Sequence, residues 1–278
     1  IDIFRTTNPA FWNKLWRRSL FVDHDIFFPN HLYYQDSATT PRLLSVAQNV
    51  AMVSDVLYDY TVRDKSITFS YSDKHVLDYP RVFDVVIGFL RTYGLDDRYR
   101  TEFTEFVRNS LRHHAVNVDA SDMDEEAKKA YLRRLVLLSE TYLRDADALL
   151  GMEANDIVNR ISGLAAVPSQ PPKAVPVQKI APRRHLPNLS VLVKTFRRPD
   201  MAKRFLDSVA AYEAAQNVKF REVIIGDDSD ADEVEITRSL IEDFHAKHPN
   251  IPVVHVVYPF NIGLSDSRNR MVDRASGD

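Results

Sequence analysis

A proline-rich stretch near the middle of the chain is the strongest constraint on how the chain can fold. Between Pro168 and Pro187, six of twenty residues are proline, accompanied by four lysine or arginine residues and no acidic residue. Proline lacks the backbone N–H that helices and sheets use, so this stretch is predicted to be an extended linker. It divides the 278-residue chain into residues 1–167 and residues 189–278.

The C-terminal part alternates between short apolar runs and amphipathic segments. Three strands are predicted, at Leu189–Val193, Glu222–Gly226 and Val253–Val257. Helices are predicted between and after them, at Pro199–Ala215, Glu233–His248 and Leu264–Ala275. This order predicts an α/β fold with a doubly wound parallel sheet, in which ligands bind at the carboxyl ends of the strands. The polar residues predicted at those ends are Thr195, Arg197, Asp227, Asp228 and Asn261.

These polar residues are suited to binding a nucleotide. A carboxylate at a strand end accepts hydrogen bonds from a base imide or from ribose hydroxyls, and an arginine can meet a diphosphate with two parallel bonds. The alternative is that the acidic run beginning at Asp227 is a solvated loop that caps the next helix.

Three ordered segments of this part resemble the family 2 glycosyltransferases, which have the GT-A fold. Leu189–Pro199 resembles their first strand, Val223–Ser229 their second strand with its paired acids, and Asn261–Asn269 their Asn-x-Gly-x-x-x-Ala-Arg-Asn segment, with Ser267 in place of alanine. The resemblance implies nucleotide-binding roles at six positions. The backbone at Thr195, Phe196 and Arg197 and the side chain of Asp227 would hold the base, expected to be uracil; Asp228 would support the ribose or the loop; and Arg268 would approach the diphosphate or order the donor loop. For Arg268 the alternative is a surface ion pair with Asp266 or Asp273.

The resemblance also implies a divalent metal, Mn or Mg, in the complete enzyme. In the family an Asp-x-Asp motif at the end of the next strand holds this metal, and the present sequence reaches Asp278 where that strand is expected to begin. Neither Asp228-Ser-Asp230 nor Asp266-Ser-Arg268 is expected to replace the motif. We therefore expect no complete metal site in this chain.

The N-terminal part resembles the final third of the same kind of domain. The matching features are Trp12-Asn-Lys-Leu15, Phe28-Pro29, Tyr34-Gln-Asp36 and the stretch from Tyr58 to Thr68. Gln35 stands where the family has glutamate, so Asp36 carries over alone as the general base that takes the acceptor proton. Thr61 replaces an arginine, which leaves Arg63 as a weaker phosphate or loop contact. The alternative for Asp36 is that it caps a helix beginning near Ala38.

Periodicity predicts mostly helices in the rest of this part. The predicted elements are a short helix at Phe11–Arg18, a helix at Ala38–Gln48, a strand at Val50–Tyr60 and helices across Asp78–Ile161. His113 and His114 would point to different helix faces, so we expect a solvated surface there and no metal site.

The order of these motifs predicts a window from a tandem enzyme. Residues 1–77 would close one GT-A domain, 78–163 would form a helical spacer, 164–188 the linker, and 189–278 would open a second GT-A domain. The parent would be a bacterial polysaccharide-synthesising enzyme that transfers a sugar, with inversion, from a UDP-sugar to a saccharide or lipid-linked saccharide acceptor. The chain alone is expected to turn over little substrate. The alternative is a non-catalytic nucleotide-binding or scaffolding module derived from such an enzyme.

Composition and motifs argue against several other classes of protein. The net charge of −3 gives no basic field for nucleic acid, and the absence of cysteine excludes disulfides and thiol catalysis. No apolar run approaches the roughly 20 residues of a membrane helix. A dinucleotide-binding Rossmann domain is disfavoured because no Gly-x-Gly-x-x-Gly follows the first strand. We expect a cytoplasmic protein, with peripheral association of the parent at the inner face of the membrane.

Overall fold

The computed structural model describes residues 9–53, 72–119, 121–143 and 188–277, and these residues fall into two compact units. The helical unit contains the described residues of 1–14 and 32–178, and the α/β unit contains those of 15–31 and 179–278. In chain order the elements are α1 (Ser19–Val22), α2 (Gln35–Val46), α3 (Asp73–Thr92), α4 (Arg100–Asp119), α5 (Glu125–Leu143), β1 (Ser190–Thr195), α6 (Pro199–Gln216), β2 (Glu222–Asp227), α7 (Ala231–Lys247), β3 (Val253–Val257) and α8 (Gly263–Arg274).

The core of the helical unit follows from the spacing of apolar residues along its helices. Apolar residues three and four positions apart lie on one face of a helix, and in this unit those faces are fully buried. The sequence prediction of helices from residue 78 onward is confirmed up to residue 143, and residues 144–161 lie outside the description. Buried residues of this core include Val82, Phe83, Val86, Leu90, Val107, Leu111, Ala115, Leu132 and Leu135.

The α/β unit contains a parallel three-stranded sheet in the order β1-β2-β3. β2 is central and buried along its whole length. On one face, Val223 and Ile225 pack in a core with residues of α6 and α7. On the other face α8 crosses closely, since a Cβ on Gly226 would lie 2.8 Å from the Ser267 Oγ and 2.9 Å from the Met271 Sδ. The predicted parallel sheet with helices on both faces is therefore confirmed for these strands.

Residues 15–31 pack against α8 of the α/β unit. The Asn269 side chain exchanges two 2.8 Å hydrogen bonds with the peptide of Phe28, accepting from its N–H and donating to its carbonyl oxygen. Arg18 donates to the carbonyl oxygens of Val272 and Asp273 in the last turn of α8, where basic side chains are favourable. The Phe28-Pro29 motif, assigned by sequence to the first transferase part, thus folds with the C-terminal unit.

Several predicted elements differ from the structure. Residues 11–18 contain a turn and no helix, and Leu15 is 86% exposed, so its apolar neighbours share no buried face. Val50–Val53 form no strand, because β-branched residues become a strand only when a neighbouring strand pairs with them. Residues 54–60, the linker up to residue 187 and Arg63 lie outside the described residues. The boundary predicted between residues 77 and 78 falls inside α3.

His114 also differs from its prediction. His113 is exposed, as expected, but His114 is only 3% exposed and its Nδ1 lies 2.9 Å from the Tyr131 hydroxyl. The expected solvated surface is therefore wrong for His114, because its face of α4 packs against α5. No helix in the described part of the chain combines the length and apolar content needed to cross a membrane.

Candidate functional site

The carboxyl ends of β1 and β2 bring the predicted nucleotide residues together. Thr195 and Asp227 are register partners at the last positions of the two strands. Thr195 is 6% exposed, Asp227 0% and Asp228 1%. Five of the six residues predicted to bind nucleotide, namely Thr195, Phe196, Arg197, Asp227 and Asp228, lie at this edge of the sheet.

Asp227 is a buried carboxylate with a donor on each oxygen. Its Oδ1 accepts from the Ser229 N–H at 3.0 Å, and its Oδ2 lies 3.2 Å from the His255 Nε2. Burial alone would raise the pKa of this carboxyl, but the hydrogen bonds from His255 and Ser229 outweigh it and leave the pKa below its ordinary value. Asp227 is therefore ionised at neutral pH.

Asp228 points to the opposite face of the sheet, since successive side chains of an extended chain alternate. Its Oδ1 lies 3.0 Å from the Lys194 Nζ, an ion pair by distance, and its Oδ2 accepts from the Gly263 N–H at 3.3 Å. Gly263 opens α8 with φ +83°, a conformation that favours glycine, and the start of a helix favours a negative charge. Of the two predicted roles for Asp228, support of the loop matches these contacts, and the ribose contact stays a prediction.

The loop after β1 is tied to the loop after β2. Arg197 has φ +52°, and its N–H donates to the Ser229 Oγ at 2.7 Å. Its guanidinium forms an ion pair with Asp230, and the two side chains are 56% and 61% exposed. The Phe196 ring lies 5.4 Å from the Lys194 Nζ and 5.1 Å from the Arg197 guanidinium carbon, within cation–π distance of both.

Arg268 occupies a different environment within the same unit. It lies on α8, and its guanidinium carbon is 5.1 Å from the centre of the Phe28 ring. Asp266, one of its two predicted ion-pair partners, pairs with Arg270 at 3.1 Å, one helical turn away. The predicted contact of Arg268 with the diphosphate stays a prediction.

Asp36 belongs to the helical unit. It lies in the first turn of α2, and the position before the helix is held by Tyr34, which has φ 59° and makes no side-chain cap. Asp36 therefore does not act as the predicted alternative, a helix cap near Ala38. Burial lowers the pKa of Lys14, and the negative charge of Asp36 partly opposes that change, so the two side chains interact. Its role as a general base stays a prediction.

The acids of the sheet edge do not fit a divalent metal. Asp228 already faces the Lys194 ammonium, and both oxygens of Asp227 face N–H groups. Across the described ranges, no group of three or more histidine or acidic side chains is arranged to hold a metal ion. These acids are therefore not available as metal ligands, and the metal of the complete enzyme stays a prediction.

Sequence reasoning missed three residues of this edge: Lys194, Ser229 and His255. Signals for two of them were available in the pattern. His255 is the only polar residue in the otherwise all-valine strand β3, and Lys194 is a charge in an apolar strand. The hydrogen bond from Ser229 to Asp227 depends on the turn after β2, and the spacing of apolar residues does not predict that turn.

A comparison with known families identifies the segment that carries this site. Residues 190–278 match the family model described as glycosyl transferase family 2. The match covers less than half of the chain, and it includes every element from β1 to α8. It supports a family 2 glycosyltransferase domain of GT-A type in this segment, and with it glycosyltransferase activity in general. Searches among curated proteins and among solved structures found no match.

Proposed function

We propose that the α/β unit binds the uridine diphosphate part of a UDP-sugar, as the opening part of an inverting glycosyltransferase domain. Members of family 2 generally use nucleotide-sugar donors and saccharide acceptors. In this proposal Asp227 and the backbone of Thr195–Arg197 hold the base, and Arg197 meets the diphosphate.

The observation that carries the proposal is the buried, ionised carboxylate of Asp227. Burying a charge is costly unless it is paired, and strongly stabilised charges concentrate at functional sites. A carboxylate offers about four acceptor positions, and Ser229 and His255 use two of them. The N3–H of uracil is a donor that suits a remaining position, whereas N3 of cytosine is an acceptor and would repel the carboxylate.

Access to Asp227 requires a small movement, because its side chain has no exposed surface. The ion pair between Arg197 and Asp230 links the loops on either side of it and is more than half exposed. Such surface pairs contribute about 0–1 kcal/mol, so this one opens at little cost. Arg197 is then free to form two parallel bonds to a diphosphate.

The reaction then follows the requirements of inverting sugar transfer. An acceptor hydroxyl attacks the anomeric carbon, the bond to the β-phosphate oxygen breaks, and UDP leaves with the electron pair. The acceptor proton passes to a general base of the same domain; Asp36, our candidate by resemblance, would take that role in the first domain and not in the domain that the α/β unit opens. The contribution of the α/β unit is to hold the leaving UDP, and the parent enzyme would build a polysaccharide.

Calorimetric titration of the chain with UDP tests the proposal. We expect saturable binding, and Asp227→Ala should weaken it by at least about tenfold, since a hydrogen bond to a charged group is worth roughly 1.5–3 kcal/mol. Asp230→Ala is the matched control, because it removes a nearby exposed acid and releases Arg197, so UDP affinity should be equal or higher.

Absence of UDP binding at millimolar concentration would refute the proposal. Equal affinity in the unaltered chain and Asp227→Ala would remove Asp227 from the site while leaving nucleotide binding in place.

A further inference from the structure

His255 is placed to act on the base-binding carboxylate. It pairs in register with Ile225, two residues before Asp227 on the neighbouring strand. Because side chains alternate along a strand, His255, Ile225 and Asp227 share one face of the sheet. The His255 side chain is 11% exposed, and its Nε2 lies 3.2 Å from the Asp227 Oδ2.

The direction of this hydrogen bond follows from chemistry. An ionised carboxylate can only accept, so the proton between the two groups belongs to Nε2. This holds for the neutral imidazole with its proton on Nε2 and for the imidazolium. With the Ser229 N–H on Oδ1, the two donors prevent rotation of the carboxylate about its Cβ–Cγ bond.

Packing alone does not explain why a histidine occupies position 255 in β3. The other four residues of the strand are valine, a residue that suits a half-buried strand. A polar ring that is largely shielded from water is costly there unless it has a partner, and the partner it contacts is Asp227.

We propose that His255 is a positioning residue of the nucleotide site, which fixes the Asp227 carboxylate as an acceptor aimed at the imide N–H of a uracil base. This inference rests on the proposed function. It goes further because it assigns the selectivity for uridine over cytidine to a pair of residues on β2 and β3.

The test compares UDP with CDP on variants at residue 255. His255→Met removes the donor at similar volume, and we expect UDP affinity to fall by about tenfold while the much weaker CDP affinity stays unchanged. His255→Gln keeps a donor near the position of Nε2, and we expect UDP affinity within about threefold of the unaltered chain. His245→Gln, on α7, is the matched control and should leave both affinities unchanged.

A purely structural role predicts a different pattern. It would lower thermal stability in His255→Met but would leave the ratio of UDP to CDP affinity unchanged. If His255→Met does not fold, His255→Asn replaces it, because its shorter amide cannot reach the Asp227 Oδ2 and should lose UDP affinity where His255→Gln retains it.

The outcomes separate the two proposals. Tenfold selectivity for UDP in the unaltered chain that persists in His255→Met or His255→Asn overturns the inference and leaves the proposed function standing. No UDP binding by the unaltered chain overturns the proposed function and the inference with it.

Discussion

Two sets of buried ionisable groups are kept in opposite charge states: the aromatic cluster around His114 in the helical unit, and Asp227 and Glu222 in the α/β unit. In the helical unit, burial lowers the pKa of His114 to about 3, with smaller contributions from His113 and His75, and burial raises the pKa of Tyr79. Both groups are therefore neutral at pH 7. In the α/β unit, Asp227 and Glu222 are also buried, yet their pKa values lie below the ordinary range.

Hydrogen-bond donors explain why the buried carboxylates of the α/β unit stay ionised. Burial would raise the pKa of Glu222, but one of its carboxylate oxygens accepts from the Ser190 hydroxyl and from both the N–H and the hydroxyl of Ser276. These bonds fasten the chain after α8 to the start of β1 and β2.

This difference in charge state distinguishes a cluster that packs the fold from a site that can bind a ligand. His114 stacks with Tyr131 in the helical unit, and the cluster around it includes Tyr34 and Tyr79. A neutral, aromatic interior of this kind stabilises a fold but offers no charge to a ligand. The α/β unit keeps Asp227 ionised at the carboxyl end of β2, where ligands of such folds bind, whereas the ionised Glu222 lies at the opposite end of that strand.

The largest effect is expected from a substitution that opens a cavity in the helical unit and should leave the α/β unit unaffected. Phe83 is 0% exposed and contacts the rings of Tyr79, Phe106 and Tyr142. Phe83→Ala should destabilise the helical unit by about 4 kcal/mol through lost burial and the remaining cavity. UDP affinity should not change, because the site lies in the other unit. Urea unfolding and UDP calorimetry measure the two effects.

Phe89→Ala is the control on the same helix, because Phe89 is only partly buried and stacks on Tyr93. It should cost about 1 kcal/mol, in the range of ordinary substitutions. A tenfold loss of UDP affinity in Phe83→Ala would show that the binding edge depends on the helical core.

Much of this fold was predictable because the spacing of apolar residues and the order of strands and helices can be read from the sequence. The predicted strand at Val253–Val257 agrees with β3 at both ends, and the predicted helices α6 to α8 differ by one or two residues. The failures, at residues 11–18 and 50–53, are short segments whose apolar residues drove the prediction. Such segments adopt a structure only when a partner surface covers them, and one sequence does not reveal that partner.

The site was predictable to the level of residues but not of contacts. The resemblance placed Thr195, Asp227 and Asp228 at one edge, where the structure has them. It did not indicate that Asp227 and Asp228 face opposite sides of the sheet, toward His255 and Lys194. Those pairings join residues about thirty positions apart, and strand register fixes them.

A second test uses the different acid sensitivity of the units. An unfolded histidine has a pKa of about 6.5, whereas His114 has a pKa of about 3 in the folded chain. Between these values the unfolded chain binds more protons, so stability is full above pH 6.5 and falls as pH decreases. From pH 7 to pH 4.5 the helical unit should lose about 2.5 kcal/mol.

His114→Gln keeps a hydrogen-bonding partner for Tyr131 and should remove this pH dependence. His113→Gln, at the exposed neighbouring position, should keep most of it. Urea unfolding followed by far-UV circular dichroism at both pH values decides the matter. A helical unit equally stable at pH 7 and pH 4.5 would show that His114 takes up a proton without unfolding.

The smallest effect is expected from a substitution that removes the charge of Glu222 in the α/β unit. The folded pKa is lowered, so its contribution is present above the unfolded value of about 4.3 and is lost as pH falls through the folded pKa. Glu222→Gln keeps the shape but removes the charge, and it should cost about 1–2 kcal/mol at pH 7. Glu242→Gln, exposed on α7, should cost nothing measurable.

Hydrogen exchange at the β2 amides measures this cost, because their slow exchange reports unfolding of the α/β unit. The difference between Glu222→Gln and the unaltered chain should shrink toward zero as pH falls through the lowered pKa of Glu222 in the folded chain, where the glutamate becomes neutral. A difference that keeps the same size throughout the acid titration of Glu222 would mean that shape and not charge fastens Ser276 to β2. The contrast with the neutral cluster around His114 would then rest on Asp227 alone.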